Sequence, residues 1–292
     1  MITVDGCVVC EGELRVRATG LVAPFLAQRI WNRKAFSIKI VKCSSCGFEF
    51  FNPRLEAHEA KLLYEEYRGA RYQQMRFQHE PWYTEALNKG LSNETLMASR
   101  RHLLDSILSE HTVMANINSV LDFGGDQGQL IQDLPVAEKY VYDISGVEKR
   151  PGIVGLTHFA ECLTRCYDLI VCSNVLEHVS FPRDLVSQMR QLAHPGTLLY
   201  LDVPLESPFS FTSIAKRLAQ ILIVCLARVR DALSVLRPSA LYLMHEHINF
   251  FEARSLANLA ERLDFQVVGV GRYDMKGPLL GGACVWCLAR LK

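Results

Sequence analysis

The segment that most restricts what this chain can fold into is Val120-Leu121-Asp122-Phe123-Gly124-Gly125-Asp126-Gln127-Gly128. A short apolar run passing straight into glycines predicts a buried strand that ends in a sharp turn. The same texture recurs downstream. Tyr140-Val141-Tyr142 precedes Asp143, Leu169 to Cys172 precede Ser173 and Asn174, and Leu198 to Leu201 precede Asp202. Between the last two runs, Pro182 marks a helix start and Leu185, Met189 and Leu192 line one helical face. Strand, turn and helix in alternation predict a doubly wound α/β domain, a parallel sheet with helices on both faces. Phe265 to Val270 and Ala283 to Leu288 read as two more strands, antiparallel neighbours of one another. The stretch between Asp143 and Asp168 is short, so the third strand and its helices are expected to be trimmed.

This texture begins near residue 113, and what precedes it differs. Residues 1–55 are cysteine-bearing, with strand-like alternation around Ser37 to Val41. Residues 56–112 read as a helical segment, with Leu103, Leu104, Ile107 and Leu108 at three- and four-residue steps. The α/β domain is then expected over 113–292, with a helical insertion at about 205–247. A length of 292 residues with 49% apolar side chains accommodates this division.

The glycine turn brings bare backbone to a ligand, and it is expected to open onto a helix N-terminus whose unpaired N–H groups favour an anion. A dinucleotide fingerprint would need a second glycine where Asp126 stands. Asp126 tolerates the left-handed backbone of such a turn better than most residues. Asp122 at the strand end suits a positive amino group and would oppose a pyrophosphate. Asp143, about 20 residues on at the next strand end, is placed to accept hydrogen bonds from two ribose hydroxyls.

Cys7-x-x-Cys10 and Cys43-x-x-Cys46 form two knuckles that together supply four thiolates for a closed tetrahedral zinc site, with room for a β-hairpin between them. Cys284-x-x-Cys287 sits in an apolar strand, where positions three apart face opposite ways, and reads as core packing.

Asp122-x-Gly124-x-x-x-Gly128, the segment Tyr167 to Val179 and the turn His194-Pro195-Gly196-Thr197 resemble, in order, the motifs of class I methyltransferases. That resemblance implies a seven-stranded Rossmann-like sheet and S-adenosylmethionine as methyl donor. It implies a cofactor-binding set of Asp122, Phe123, Gly124, Gly125, Gly128, Asp143, Ile144 and Asn174, with adenine contacts near His158 and Phe159. The cysteine module, the methyltransferase motifs and the late His245-Glu246-His247 run together resemble sugar C-methyltransferases and related polysaccharide-cluster methyltransferases. The implied acceptor is a sugar or nucleotide-linked sugar. His247 and Glu246 are the implied catalytic pair, with His178 at the fourth strand end as a second candidate base. His245 and Asn249 are candidate substrate-binding residues. Met244 and Asn249-Phe250-Phe251 depart from the subgroup's pattern, which leaves carbon or oxygen methylation open.

A formal charge of +1 disfavours the rival reading, an RNA methyltransferase that clamps RNA with its cysteine module. A non-catalytic scaffold that binds cofactor is the other rival. Residues 1–10 carry neither a basic run nor a long apolar run, which predicts a cytoplasmic protein. Phe211 to Leu236 is apolar at its centre and carries Lys216, Arg217, Arg228 and Arg230. It reads as a lid or packing helix, with an interfacial membrane helix as the sharper alternative. The sequence leaves the oligomeric state open.

Overall fold

The computed structural model describes residues 1–67, 69–86, 94–112, 114–226, 237–274 and 282–292. In chain order the strands are β1 (Leu14–Val22), β2 (Ser37–Cys43), β3 (Glu49–Asn52), β4 (Ser119–Phe123), β5 (Glu138–Tyr142) and β6 (Val154–Leu156). They continue with β7 (Tyr167–Ser173), β8 (Ala193–Pro204), β9 (Leu243–Met244), β10 (Asn249–Phe250), β11 (Phe265–Asp274) and β12 (Ala283–Leu291).

Two compact units divide the chain. The first is Met1–Cys7, Glu11–Asn93 and Glu206–Phe250; the second is Val8–Cys10, Glu94–Leu205 and Phe251–Lys292. Val8–Cys10 are the tip of a turn closed by hydrogen bonds from Cys7 N–H to Gly12 and from Glu11 N–H to Cys7, so the tip is described with the first unit. The helical stretch expected over 56–112 is thus split, its last helix, Glu94–His111, joining the second unit. Most of the expected insertion at about 205–247 groups with the first unit.

The second unit is built on a seven-stranded sheet of order β11-β12-β8-β7-β4-β5-β6. β8, β7, β4, β5 and β6 run parallel, while β12 is antiparallel to both β8 and β11. The expected α/β class and the antiparallel final pair are both present. Period-2 alternation explains the layering. Leu169 and Val171 join Leu103, Leu104, Ile107 and Leu108 of helix Glu94–His111 in one core cluster. Ile170 and Cys172, equally buried, point to the other face. Each fully buried Leu there contributes about 1.5–3 kcal/mol. Cys284 belongs to that cluster and Cys287, also buried, lies outside it, as expected of a packing pair. The trimmed third strand is the three-residue β6, followed by a single helical turn, Phe159–Cys162.

Two local expectations are corrected. No helix follows the glycine turn: residues 126–134 form consecutive turns, with Gly128 N–H bonded to the Gly125 carbonyl and Leu134 N–H to that of Ile131. Three glycines and two aspartates lower helix propensity between Gly124 and Asp133, and Pro135 stops the segment before a helix can propagate. The expected turn at His194-Pro195-Gly196 is instead a bulge within β8, where the register with β7 jumps. The Thr197 hydroxyl closes it, donating to the Tyr167 carbonyl at 2.7 Å and accepting from the His194 N–H at 2.9 Å.

The first unit holds a five-stranded sheet of order β10-β3-β2-β1-β9. β1 and β2 are the hairpin expected between the knuckles, with helix Pro24–Trp31 in their connection. Phe25, Leu26, Ile40, Phe51, Leu63 and Tyr72 lie in its buried core. Helices Ala57–Tyr64, Ala70–His79 and Phe211–Leu226 complete the unit. The remainder of the expected 211–236 helix, including Arg228 and Arg230, lies outside the described residues.

Candidate functional site

In the second unit the expected cofactor residues gather at the carboxyl edge of the sheet. β4 has β5 on one side and β7 on the other, so the strand order reverses there and leaves a crevice beyond the strand ends. Asp122, the penultimate residue of β4, is 1% exposed, and its Oδ2 has no hydrogen-bond partner among the described residues. Burial pushes the Asp122 carboxyl up to about 7, only partly offset by the Arg100 guanidinium. A buried, unpaired carboxylate is costly unless a cation or donor meets it.

The turn is shaped around that group. A Cβ at Gly125 would stand 2.3 Å from Asp122 Oδ2, so any larger residue there would collide with the carboxylate. Asp126 takes a left-handed φ of 52°, as its small polar side chain allows. Asp143 ties the turn to the end of β5: its Oδ2 accepts from the Asp126 N–H at 3.0 Å and its Oδ1 from the Ser145 N–H at 2.8 Å. A carboxylate has about four acceptor positions, so these bonds leave capacity for further donors. Phe123, Tyr142 and Phe159 form an aromatic cluster beside it, with Phe123 and Tyr142 ring centroids 4.8 Å apart. Ile144 is 79% exposed. His158 is the N-cap residue of the helical turn Phe159–Cys162, its N–H donating to the Glu161 carboxylate at 3.0 Å.

Asn174 follows β7 in left-handed backbone, φ 55°, its N–H bonded to the Asp202 carbonyl at 3.0 Å. His178 stands 3.8 Å from the buried carboxylate of Glu177. It does not cap the next helix, whose N-cap is Phe181.

Sequence reasoning missed Arg100. This residue is buried, and its Nη2 donates to both Asp202 oxygens at 3.0 and 2.9 Å and to the Ser173 hydroxyl. Burial alone would lower the guanidinium, and the Asp202 carboxylate more than compensates. The signal was available: Arg100 stands four residues before Leu104, on the apolar stripe of its helix.

In the first unit the His245-Glu246-His247 run adjoins a buried polar network. Tyr72, Arg76 and Glu80 are four residues apart, a row on or just past helix Ala70–His79. The Tyr72 hydroxyl and Arg76 Nη1 both donate to the Glu246 carboxylate. Arg76 Nε also donates to Glu80 at 2.7 Å. Burial alone would raise the Glu246 carboxyl, but Arg76 and the Tyr72 hydroxyl help hold it down at about 2. It therefore stays anionic near neutrality and is a weak base there. Burial, followed by the Arg76 charge, drives His245 well below its ordinary value, so it is neutral, 3.2 Å from Glu80. His247 is partly exposed, and its Nδ1 lies 2.7 Å from the Glu206 carboxylate. Asn249 is buried in β10, its side-chain oxygen accepting from Arg54. The four-residue row and Glu206 escaped sequence reading because their partners lie about 170 and 40 residues away.

Cys7, Cys10, Cys43 and Cys46 are buried, their sulfurs lie within 4.8 Å of one another, and none of the ten cysteines is in a disulfide. Cys7 Sγ and Cys46 Sγ are 3.7 Å apart. Tetrahedral zinc with bonds of about 2.3 Å requires sulfurs about 3.8 Å apart. The donor set is compatible with a zinc module. A Cβ on Gly12 would lie 3.0 Å from Cys43 Sγ and 2.5 Å from Ser45 Oγ, so only glycine lets the two knuckles close.

A family model described as a methyltransferase domain matches residues 61–270. No curated protein sequence matches the chain. Among solved structures, magnesium protoporphyrin IX methyltransferase from Synechocystis PCC 6803 is 13% identical, with a TM-score of 0.47 over 80% of this chain and 99% of that one. N-methyltransferase NodS from Bradyrhizobium japonicum, bound to S-adenosylhomocysteine, is 14% identical, with a TM-score of 0.43 over 70% and 90%.

Proposed function

Because the chain belongs to the methyltransferase-domain family, we propose that this S-adenosylmethionine-dependent enzyme methylates a small polar acceptor, a sugar or nucleotide-linked sugar. The observation that carries the cofactor reading is Asp122, a fully buried carboxylate with an unpartnered oxygen at the sheet's switch point. The ammonium of the cofactor's amino-acid end is the cation that would complete it. The spare acceptor positions of Asp143 suit ribose hydroxyls, and the half-buried Phe159 and the exposed Ile144 offer apolar surface to the adenine. Gly124, Gly125 and Gly128 keep the backbone between the two carboxylates bare. Asn174 borders the same crevice at the end of β7.

Once bound, the cofactor supplies an electrophilic methyl group on a sulfonium. The chain must align the acceptor and remove one proton. His247 is the base: the Glu206 carboxylate at Nδ1 orients the imidazole and stabilises the imidazolium formed when it takes up the proton. Glu246 is too weak a base for that role, since Arg76 helps hold its carboxyl at about 2; it offers fixed negative charge. His245, neutral and partly buried, and Asn249 are the substrate-side candidates, and His178 with Glu177 is the second candidate base. Zinc on the four cysteines is structural, since four thiolates close the coordination shell.

The test is turnover of pooled sugar nucleotides with labelled cofactor. His247→Ala should lower turnover by about 10²–10⁴-fold while S-adenosylhomocysteine affinity stays at the wild-type value. Full turnover in that variant would remove His247 as the base. Cofactor binding without turnover on any sugar nucleotide would remove the acceptor class.

A further inference from the structure

The helix Phe211–Leu226 wears its apolar side outward. Phe211, Leu218, Leu222 and Leu226 are 84%, 54%, 59% and 74% exposed. With Ala215, also exposed, they recur every three or four residues and so form one continuous stripe. The opposite face is anchored by a cation. Arg217 is buried, its Nε donating to the Ala240 carbonyl at 2.9 Å and its Nη1 to Gln220 at 2.5 Å. A helix folded for water alone does the reverse, burying leucines and exposing arginine.

The charge pattern says what meets the stripe. From Ser207 to Arg230 the sequence has no Asp or Glu, while besides the buried Arg217 it carries Lys216, Arg228 and Arg230. Lys216 is exposed beside the stripe. Two copies of this chain joined through the stripe would bring two uniformly basic segments together. A negatively charged surface with an apolar interior satisfies both features. No described helix is long and apolar enough to cross a membrane, so the stripe is suited to lying on one.

We propose that helix Phe211–Leu226 docks the protein on the surface of a bilayer containing anionic lipid, with Phe211, Leu218, Leu222 and Leu226 entering the acyl boundary and Lys216 meeting the headgroups. The proposal is independent of which acceptor is methylated.

It is tested by co-flotation of the full chain with vesicles of phosphatidylcholine and phosphatidylglycerol, in a ratio of roughly three to one, and with phosphatidylcholine alone. The wild-type protein should float with the anionic vesicles and be released by high salt. The exposed double variant Leu218→Asp/Leu222→Asp should lose about tenfold or more of that partition, while its S-adenosylhomocysteine affinity and thermal unfolding stay at wild-type values. Lys216→Glu alone should give a smaller loss. Three results would each overturn the assignment. One is an absence of flotation by the wild-type chain. Another is undiminished flotation of the double variant. The third is self-association in sedimentation, abolished by the double variant, with no vesicle binding.

Discussion

Two buried carboxylates, one in each unit, have opposite fates. Glu246 is met by the Arg76 guanidinium and the Tyr72 hydroxyl and is held at about 2. Asp122, just as buried, has an unmatched oxygen and rises to about 7. Burial pushes both the same way. The difference is whether the chain supplies a counter-charge, and it teaches how to separate scaffold from ligand site: a completed pair serves the fold, while an incomplete one marks a place for a molecule the chain does not encode. The four buried sulfurs pose the same question on a larger scale, as a donor set that a zinc ion would complete.

If the cysteine cluster is such an incomplete site, filling it should dominate the first unit's stability. Structural zinc in small modules is worth on the order of 10 kcal/mol. Cys43→Ala, or chelation of the wild-type protein, should therefore abolish protection of the β1–β3 amides in hydrogen exchange while the seven-stranded sheet keeps its protection. One zinc per chain is expected by elemental analysis. A metal-free wild-type protein with normal amide protection would break the analogy with Asp122.

The completed pair is probed next. Arg76→Met leaves Glu246 and Glu80 buried without their shared cation, and breaking such a pair costs about 3–5 kcal/mol. Denaturant unfolding should show that loss, and Arg76→Met/Glu246→Gln should recover part of it, because the second substitution removes the stranded charge. Equal stability of Arg76→Met and wild type would mean the network is solvated.

What the sequence made legible follows from this contrast. Strand ends, the glycine turn, Asp122, Asp143 and the four cysteines are local signals, encoded within a few residues of one another. The seven-stranded sheet and its antiparallel last pair were readable for the same reason, from runs such as Leu169 to Cys172. The counter-charges were not readable as pairs. Arg76 reaches Glu246 and Arg100 reaches Asp202 across about 170 and 100 residues, and only folding brings them together. The missing helix after Gly128 and the bulge at Gly196 failed for another reason: the glycine-turn pattern in one case and the motif resemblance in the other carried an element that Pro135 and the Thr197 hydroxyl bonds overrule.

The smallest effects concern Asp122 itself and separate binding from stability. A carboxyl raised in the folded state contributes stability below its unfolded pKa of about 3.8 and loses it as pH rises through about 7. At pH 8 the unliganded protein carries an unpaired buried charge. Asp122→Asn should then unfold no earlier than wild type, yet bind S-adenosylhomocysteine about 10–100-fold more weakly, the scale of one charge-assisted hydrogen bond. The ligand's ammonium selects the ionised carboxylate, so binding below pH 7 must first expel a proton. Wild-type affinity should fall by up to about tenfold per pH unit as pH drops from 7 towards 5, and titration calorimetry in buffers of different ionisation enthalpy should register proton release. In Asp122→Asn both the pH slope and the released proton should vanish. A variant that keeps the slope would transfer the titration to another group and leave Asp122 as a buried oddity of the turn.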